Sequence, residues 1–85
     1  MSASSDNLSD FVVSQEVDAR GLNCPLPILK AKKALALVQS GEIVKIISTD
    51  SGSKRDFEAF ARQTGNALIH QTEASKEWVF FLKRR

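Results

Sequence analysis

Two prolines separated by one residue, Pro25 and Pro27 in RGLNCPLPILKAKKAL (residues 20–35), most narrow how this chain can fold. Neither can donate a ladder hydrogen bond, yet both fit the first turn of a helix, so an extended segment must give way to a helix here. The residue before a proline is pushed away from helical torsions. Cys24 is therefore expected as the N-cap, with Pro25 at the first helical position and Pro27 at the third. The helix itself is expected over about Pro25 to Val38. Ile28, Ala31, Ala34, Leu35 and Val38 share one apolar face, and Gly41 supplies a left-handed turn beyond the end.

The remaining segments arrange themselves around that helix. QEVDA (15–19) alternates, with Val17 and Ala19 on one side, and reads as a short strand, which FVV (11–13) either extends or packs against as an arm. EIVKIIST (42–49) is β-branched and mostly apolar, as a central strand requires. A second helix is expected over roughly Lys54 to Thr64, with Phe57, Phe60, Ala61 and Thr64 as its buried stripe. Ser53 and Asp56 resemble a capping box at its start, and Gly65 ends it. Two strands, about Ala67 to Glu73 and Trp78 to Lys83, are joined by the tight ASK turn. The order βαβαββ, with both helices on one face of a mixed four-stranded sheet, predicts an α+β fold built as a two-layer α/β sandwich. In the last strand Trp78, Phe80 and Leu82 should face the helices. Val79 and Phe81 should then share the open face with Ile43, Lys45 and Ile47, under a partner, a second copy or the FVV arm at Phe11 to Val13.

Length and charge bound the function. Eighty-five residues suit a single core, so residues 11–85 are expected as one domain behind a flexible polar tail at 1–10. Twelve basic against ten acidic side chains leave a net charge of +2, too even to point to nucleic acid, and direct nucleic-acid binding is not expected. No apolar run approaches the roughly 20 residues of a membrane span, so no membrane partner is expected. No secretory signal is visible, and one cysteine without a disulfide partner fits the reducing cytoplasm.

The chemistry gathers at one sheet edge. Strands joined by a helix should run parallel, which brings the Cys24 loop and the loop TDSGSKR (49–55) to the same end of the sheet. A thiol at a helix N-terminus feels the positive end of the dipole, and its pKa is expected to fall from about 8.5 toward roughly 3.5–7.5. Arg20, Lys54 and Arg55 are candidates to steady a sulfur anion at that edge or to dock a partner. Lys30, Lys32 and Lys33 form either a solvated helix face or a docking patch for an acidic partner. No metal or cofactor is expected, because His70 is the only histidine and no second thiol exists. The same solitude excludes dithiol chemistry within one chain.

The stretch GLNCPLPILKAKKAL resembles the Gly-Leu-x-Cys-Pro-x-Pro signature of the TusA/SirA-like sulfur-carrier family, and the likeness runs over roughly residues 15 to 84. The resemblance implies a fold similar to the C-terminal domain of translation initiation factor 3. It also implies a sulfurtransferase-type carrier that takes sulfane sulfur as a persulfide from a cysteine desulfurase or rhodanese-like donor and hands it to an acceptor protein. By the same likeness Cys24 bears the sulfur, Gly21, Leu22, Pro25 and Pro27 support it, and Arg55 and Asp56 match the start of the family's second helix. Branches of the family serve tRNA thiolation, molybdenum cofactor or sulfur oxidation. Leu26 stands where the tRNA-thiolation carriers have an acidic residue. A reading of another class, a non-catalytic module that binds RNA, rests on the fold and the basic C-terminus.

Overall fold

The structure is a computed structural model that describes residues 12–85. The polar tail at 1–10 and Phe11 of the proposed arm lie outside the described residues. Six elements follow in the expected order: β1 (Val13–Ala19), α1 (Leu26–Leu37), β2 (Ile43–Ser48), α2 (Ser53–Thr64), β3 (Ala67–Ala74) and β4 (Glu77–Lys83). The strands form one sheet in the order β1-β2-β4-β3. β1 and β2 run parallel because α1 carries the chain back between them, whereas β4 is antiparallel to both β2 and β3. The βαβαββ, mixed-sheet sandwich is as the sequence predicts.

Alternation along the strands builds the core. Val17 and Ala19 of β1, Val44 and Ile46 of β2, and Phe80 and Leu82 of β4 turn to one face. Ala31, Ala34, Leu35 and Val38 from α1 and Phe57 from α2 close over them. Ala19 and Ala31 are both fully buried. Their small side chains let α1 lie close against the sheet, where a larger pair would overfill the layer. Phe57 stacks on Phe80 with ring centroids 4.6 Å apart and meets Phe60 edge-on at 6.4 Å. On the opposite face Phe81 pairs with Lys45 across the ladder and lies 5.6 Å from the His70 ring. Val79 and Phe81 therefore occupy the face the alternation assigns them.

One strand boundary is settled and two local expectations are corrected. β1 begins at Val13, the reading in which FVV extends the strand, because pairing with Ile43 carries it through a ladder irregularity between Val13 and Gln15. α1 begins one residue late: Pro25 is the N-cap, with φ −100° and ψ 17°, and Cys24 precedes the helix. The cause is a turn in which the Leu26 N–H donates to the Asn23 carbonyl at 2.8 Å, taking Cys24 into its interior. Ser53 does not cap α2. Gly52 holds that position, and Ser53 is buried in the first turn, its hydroxyl 2.6 Å from that of Ser48. A hydroxyl committed to β2 cannot also serve the helix amides.

Candidate functional site

The C-terminal ends of β1 and β2 lie side by side, so the loops that leave them share an edge. The first loop turns at once: Gly21 adopts φ 80°, and the Leu22 N–H closes back on the Ala19 carbonyl at 3.2 Å. A side chain at Gly21 would be strained by that torsion even though the space around it is open. Leu22 packs against the core, and Pro27 is fully buried beneath the first turn of α1. Between these two anchors Cys24 and Pro25 stand exposed, joined by a cis peptide bond. The structure thus holds the thiol out on a short loop pinned on both sides.

The second loop is tied to the first. The Gly21 N–H donates to Thr49 Oγ1 at 2.8 Å, and the Asp50 N–H donates to Ser48 Oγ at 3.2 Å. Ser48 and Ser53, both buried, fasten the loop to the sheet and to α2. The result brings two carboxylates together: Asp50 and Asp56 each place Oδ2 within 4 Å of where a side chain on Gly52 would start, at 3.6 and 3.8 Å. Asp50 Oδ2 is buried and accepts no hydrogen bond.

These carboxylates reverse the expected electrostatics. The Asp56 carboxylate is the largest cause pushing the Cys24 thiol pKa up; partial desolvation and the charge of Asp50 add to the rise. The lowering anticipated from a cap position does not occur, because no side chain caps α1 and Cys24 lies outside it. Of the three cations expected at this edge, Arg20 is engaged by carboxylates. Arg20 Nε donates to Asp18 Oδ1 at 2.9 Å, its second nitrogen donates to Oδ2 at 3.1 Å, and Glu77 lies 3.7 Å away. Its guanidinium is engaged by β1 and β4. Lys54 and Arg55 are exposed on the first turn of α2, Lys54 beside a shallow cleft lined by Gln71, Thr72, Glu73 and Trp78. Asp56, one of the residues expected at the site, pushes the thiol pKa up, together with Asp50, which sequence reading passed over. The signal for Asp50 was its place between the strand end and the helix start, where its amide closes on Ser48.

The outer face of α1 extends from the same edge. Leu26, Leu29 and Leu37 are exposed there, and Leu26, Leu29 and Ala36 floor an open groove of about 610 Å³ rimmed by Lys30, Lys32 and Lys33. Sequence reading singled out the lysines and missed the leucines between them. Among the described residues no group of three or more metal-ligating side chains gathers, and no helix is long and apolar enough to cross a membrane.

An exposed lone thiol on a pinned loop can form one covalent bond to a group brought by a large partner, with no neighbouring thiol to displace it. Comparison with known proteins agrees with that geometry. A family model described as Sulfurtransferase TusA matches residues 15–84. The sulfur carrier protein TusA of Allochromatium vinosum is 51% identical over 77 residues, covering 91% of this chain and 99% of that protein. A putative sulfur carrier protein of Neisseria meningitidis is 53% identical over 69 residues, covering 81% of this chain and 90% of its own length. The crystal structure of a SirA-like protein from Desulfitobacterium hafniense superimposes with a TM-score of 0.69 at 26% identity, over 84% of this chain and 99% of that one. With strand order, motif and relatives in agreement, this chain belongs to the TusA sulfurtransferase family.

Proposed function

We propose that this chain is a sulfur carrier that relays sulfane sulfur as a persulfide on Cys24. The donor is a protein persulfide, of the cysteine desulfurase or rhodanese-like kind, and the acceptor is a second protein bearing a thiol. What carries the proposal is the exposed, solitary thiol on the pinned Gly21–Pro27 loop of a TusA-family chain.

In the loading step the Cys24 thiolate attacks the outer sulfur of the donor persulfide. A bond forms between Sγ and that sulfur, the donor's S–S bond breaks, and the donor leaves as a thiolate that takes up the proton Cys24 released. In the unloading step the acceptor thiolate attacks the same outer sulfur, and Cys24 leaves as the thiolate. The sulfane sulfur passes on without change of oxidation state, so neither oxidant nor cofactor is consumed. Gly21 sets the turn, Leu22 and Pro27 anchor the loop from below, and Pro25 starts the helix behind the sulfur. Lys54 and Arg55 serve as docking charges at the edge, rather than as direct supports of the sulfur anion. A cytoplasmic location suits a thiol that must stay reduced. tRNA thiolation, molybdenum cofactor assembly and sulfur oxidation are the pathways such a carrier would feed.

Incubation with a cysteine desulfurase and cysteine, followed by intact-mass measurement, tests the proposal. The chain should gain the mass of one sulfur atom, removable by dithiothreitol, and Cys24→Ser should gain none. Sulfur retained by the serine variant would move the carrier site elsewhere and overturn the assignment.

A further inference from the structure

α1 is apolar on two sides, and the sheet covers only one of them. Pro27, Ala31, Ala34 and Leu35 form the buried side. At about 3.6 residues per turn, Leu26, Leu29, Ala36 and Leu37 fall within an arc of roughly 100° on the opposite side. Leu26, Leu29 and Leu37 are 46, 49 and 74% exposed, and they are three of the four large apolar side chains exposed among the described residues. Leu26, Leu29 and Ala36 floor the open groove of about 610 Å³; Lys30, Lys32 and Lys33 line it with them, and no carboxylate does. Among the described residues none of these lysines is held in a salt bridge. So concentrated an apolar stripe, on a helix whose other side is already packed, needs a cover. It starts at Leu26, two residues beyond Cys24.

Resting on the carrier function proposed above, we infer that a protein exchanging sulfur with Cys24 docks in this groove through an acidic amphipathic helix. The floor needs apolar side chains and the lysines need carboxylates. A helix with leucine-like residues at i, i+3 or i+4 and i+7, and glutamate or aspartate on both flanks, meets both demands. α1 runs 12 residues, so about three turns of such a helix can lie along it. A second copy of this chain does not fit, because a two-fold pairing of α1 with α1 would set lysines against lysines. An RNA backbone would pair with the lysines and leave the leucines wet. A flat anionic membrane would also press on Glu16 and Asp18, which line the neighbouring cleft beside Lys30, Lys33 and Leu37. A helix confined to the groove avoids those carboxylates and brings its protein alongside the loop that presents the thiol.

Two fluorescein-labelled helical peptides with the same leucine stripe, one flanked by glutamates and one by lysines, serve as probes. Fluorescence anisotropy with the full chain should show the glutamate peptide binding and the lysine peptide not. Leu29→Asp should weaken the glutamate peptide about tenfold or more, since it sets a charge in the floor. Lys30→Glu with Lys33→Glu should weaken it by a similar factor and admit the lysine peptide. Raising salt from about 0.1 M to about 1 M should loosen the parent complex several-fold. Equal affinity for the two peptides, no binding of the glutamate peptide, or binding that neither variant moves overturns the inference. If Leu29→Asp fails to fold, the lysine pair decides alone. Concentration-dependent dimerisation that Leu29→Asp abolishes would make the occupant a second copy and overturn it too. Flotation with phosphatidylserine vesicles, lost in the same variant, would make the occupant a membrane, with the same consequence. Sulfur loading of Cys24 without peptide binding removes the docking groove and leaves the carrier standing; peptide binding without loading does the reverse.

Discussion

Asp18 and Arg20 sit at the exit of β1 and share three hydrogen bonds, two from the guanidinium and one from the Arg20 N–H, which together hold the Asp18 carboxyl down from 3.8 to about 2. Arg20 is a candidate from sequence to steady a sulfur anion or dock a partner, and a carboxylate two residues away engages its guanidinium. The pair is exposed, so its energetic contribution is small. Its direction is nonetheless fixed by linkage. A carboxyl whose folded pKa is depressed contributes stability that is fully present above its unfolded value of 3.8 and is lost as the pH falls through about 2. Following the Asp18 carboxyl carbon by NMR should place its midpoint near 2, and Arg20→Gln should return it toward 3.8. A midpoint that ignores the substitution would mean that the bonds do not persist in solution.

At the scale of elements, the β3–β4 hairpin carries a local conflict. Its two central residues, Ser75 and Lys76, have φ 52° and 63°, the torsions of a tight primed turn. That turn matches the twist of the flanking strands, and the register from Ala74↔Glu77 onward depends on it. Asn-Gly adopts these torsions most readily, whereas serine and lysine are held there by the pairing on either side. Replacing both, Ser75→Asn with Lys76→Gly, should stabilise the fold by about 1 kcal/mol, part of the relief being offset by the freer unfolded chain. In urea the midpoint should rise with an unchanged slope. A lower midpoint would show that Lys76 contributes something beyond its torsion.

For the molecule as a whole, stability centres on the contact of α2 with β4. Phe57 and Phe80 are both fully buried and stacked, and Phe57 is the one large aromatic that α2 buries completely. Phe57→Ala should cost roughly 3–5 kcal/mol, because the side chains of Ile46, Phe80 and Leu82 cannot all collapse into the void. Against a total of about 5–15 kcal/mol for a domain, that loss should leave a marginal protein. Phe60→Ala, on the partly exposed flank, should cost distinctly less in the same denaturation experiment. Equal losses at the two positions would mean that α2 is held by its rim rather than by its buried stripe.

Local periodicity and torsional demand were enough to read the element order, the buried faces of both helices, the in–out alternation of β4 and the arrest of α2 at Gly65, which has φ 81°. Each of those depends on residues within one or two turns of one another, so each is written in the chain itself. The caps and the surroundings of the thiol are not. Gly52 rather than Ser53 begins α2 because a serine at the end of β2 takes the hydroxyl, and Pro25 rather than Cys24 begins α1 because Asn23 closes a turn across it. The thiol pKa of Cys24 is pushed up by a carboxylate from the second helix, with another from the loop before it. Whether a side chain caps, pairs or titrates is decided by whichever partner folding brings within hydrogen-bond reach, and here those partners come from elements that meet only at the shared edge of the sheet.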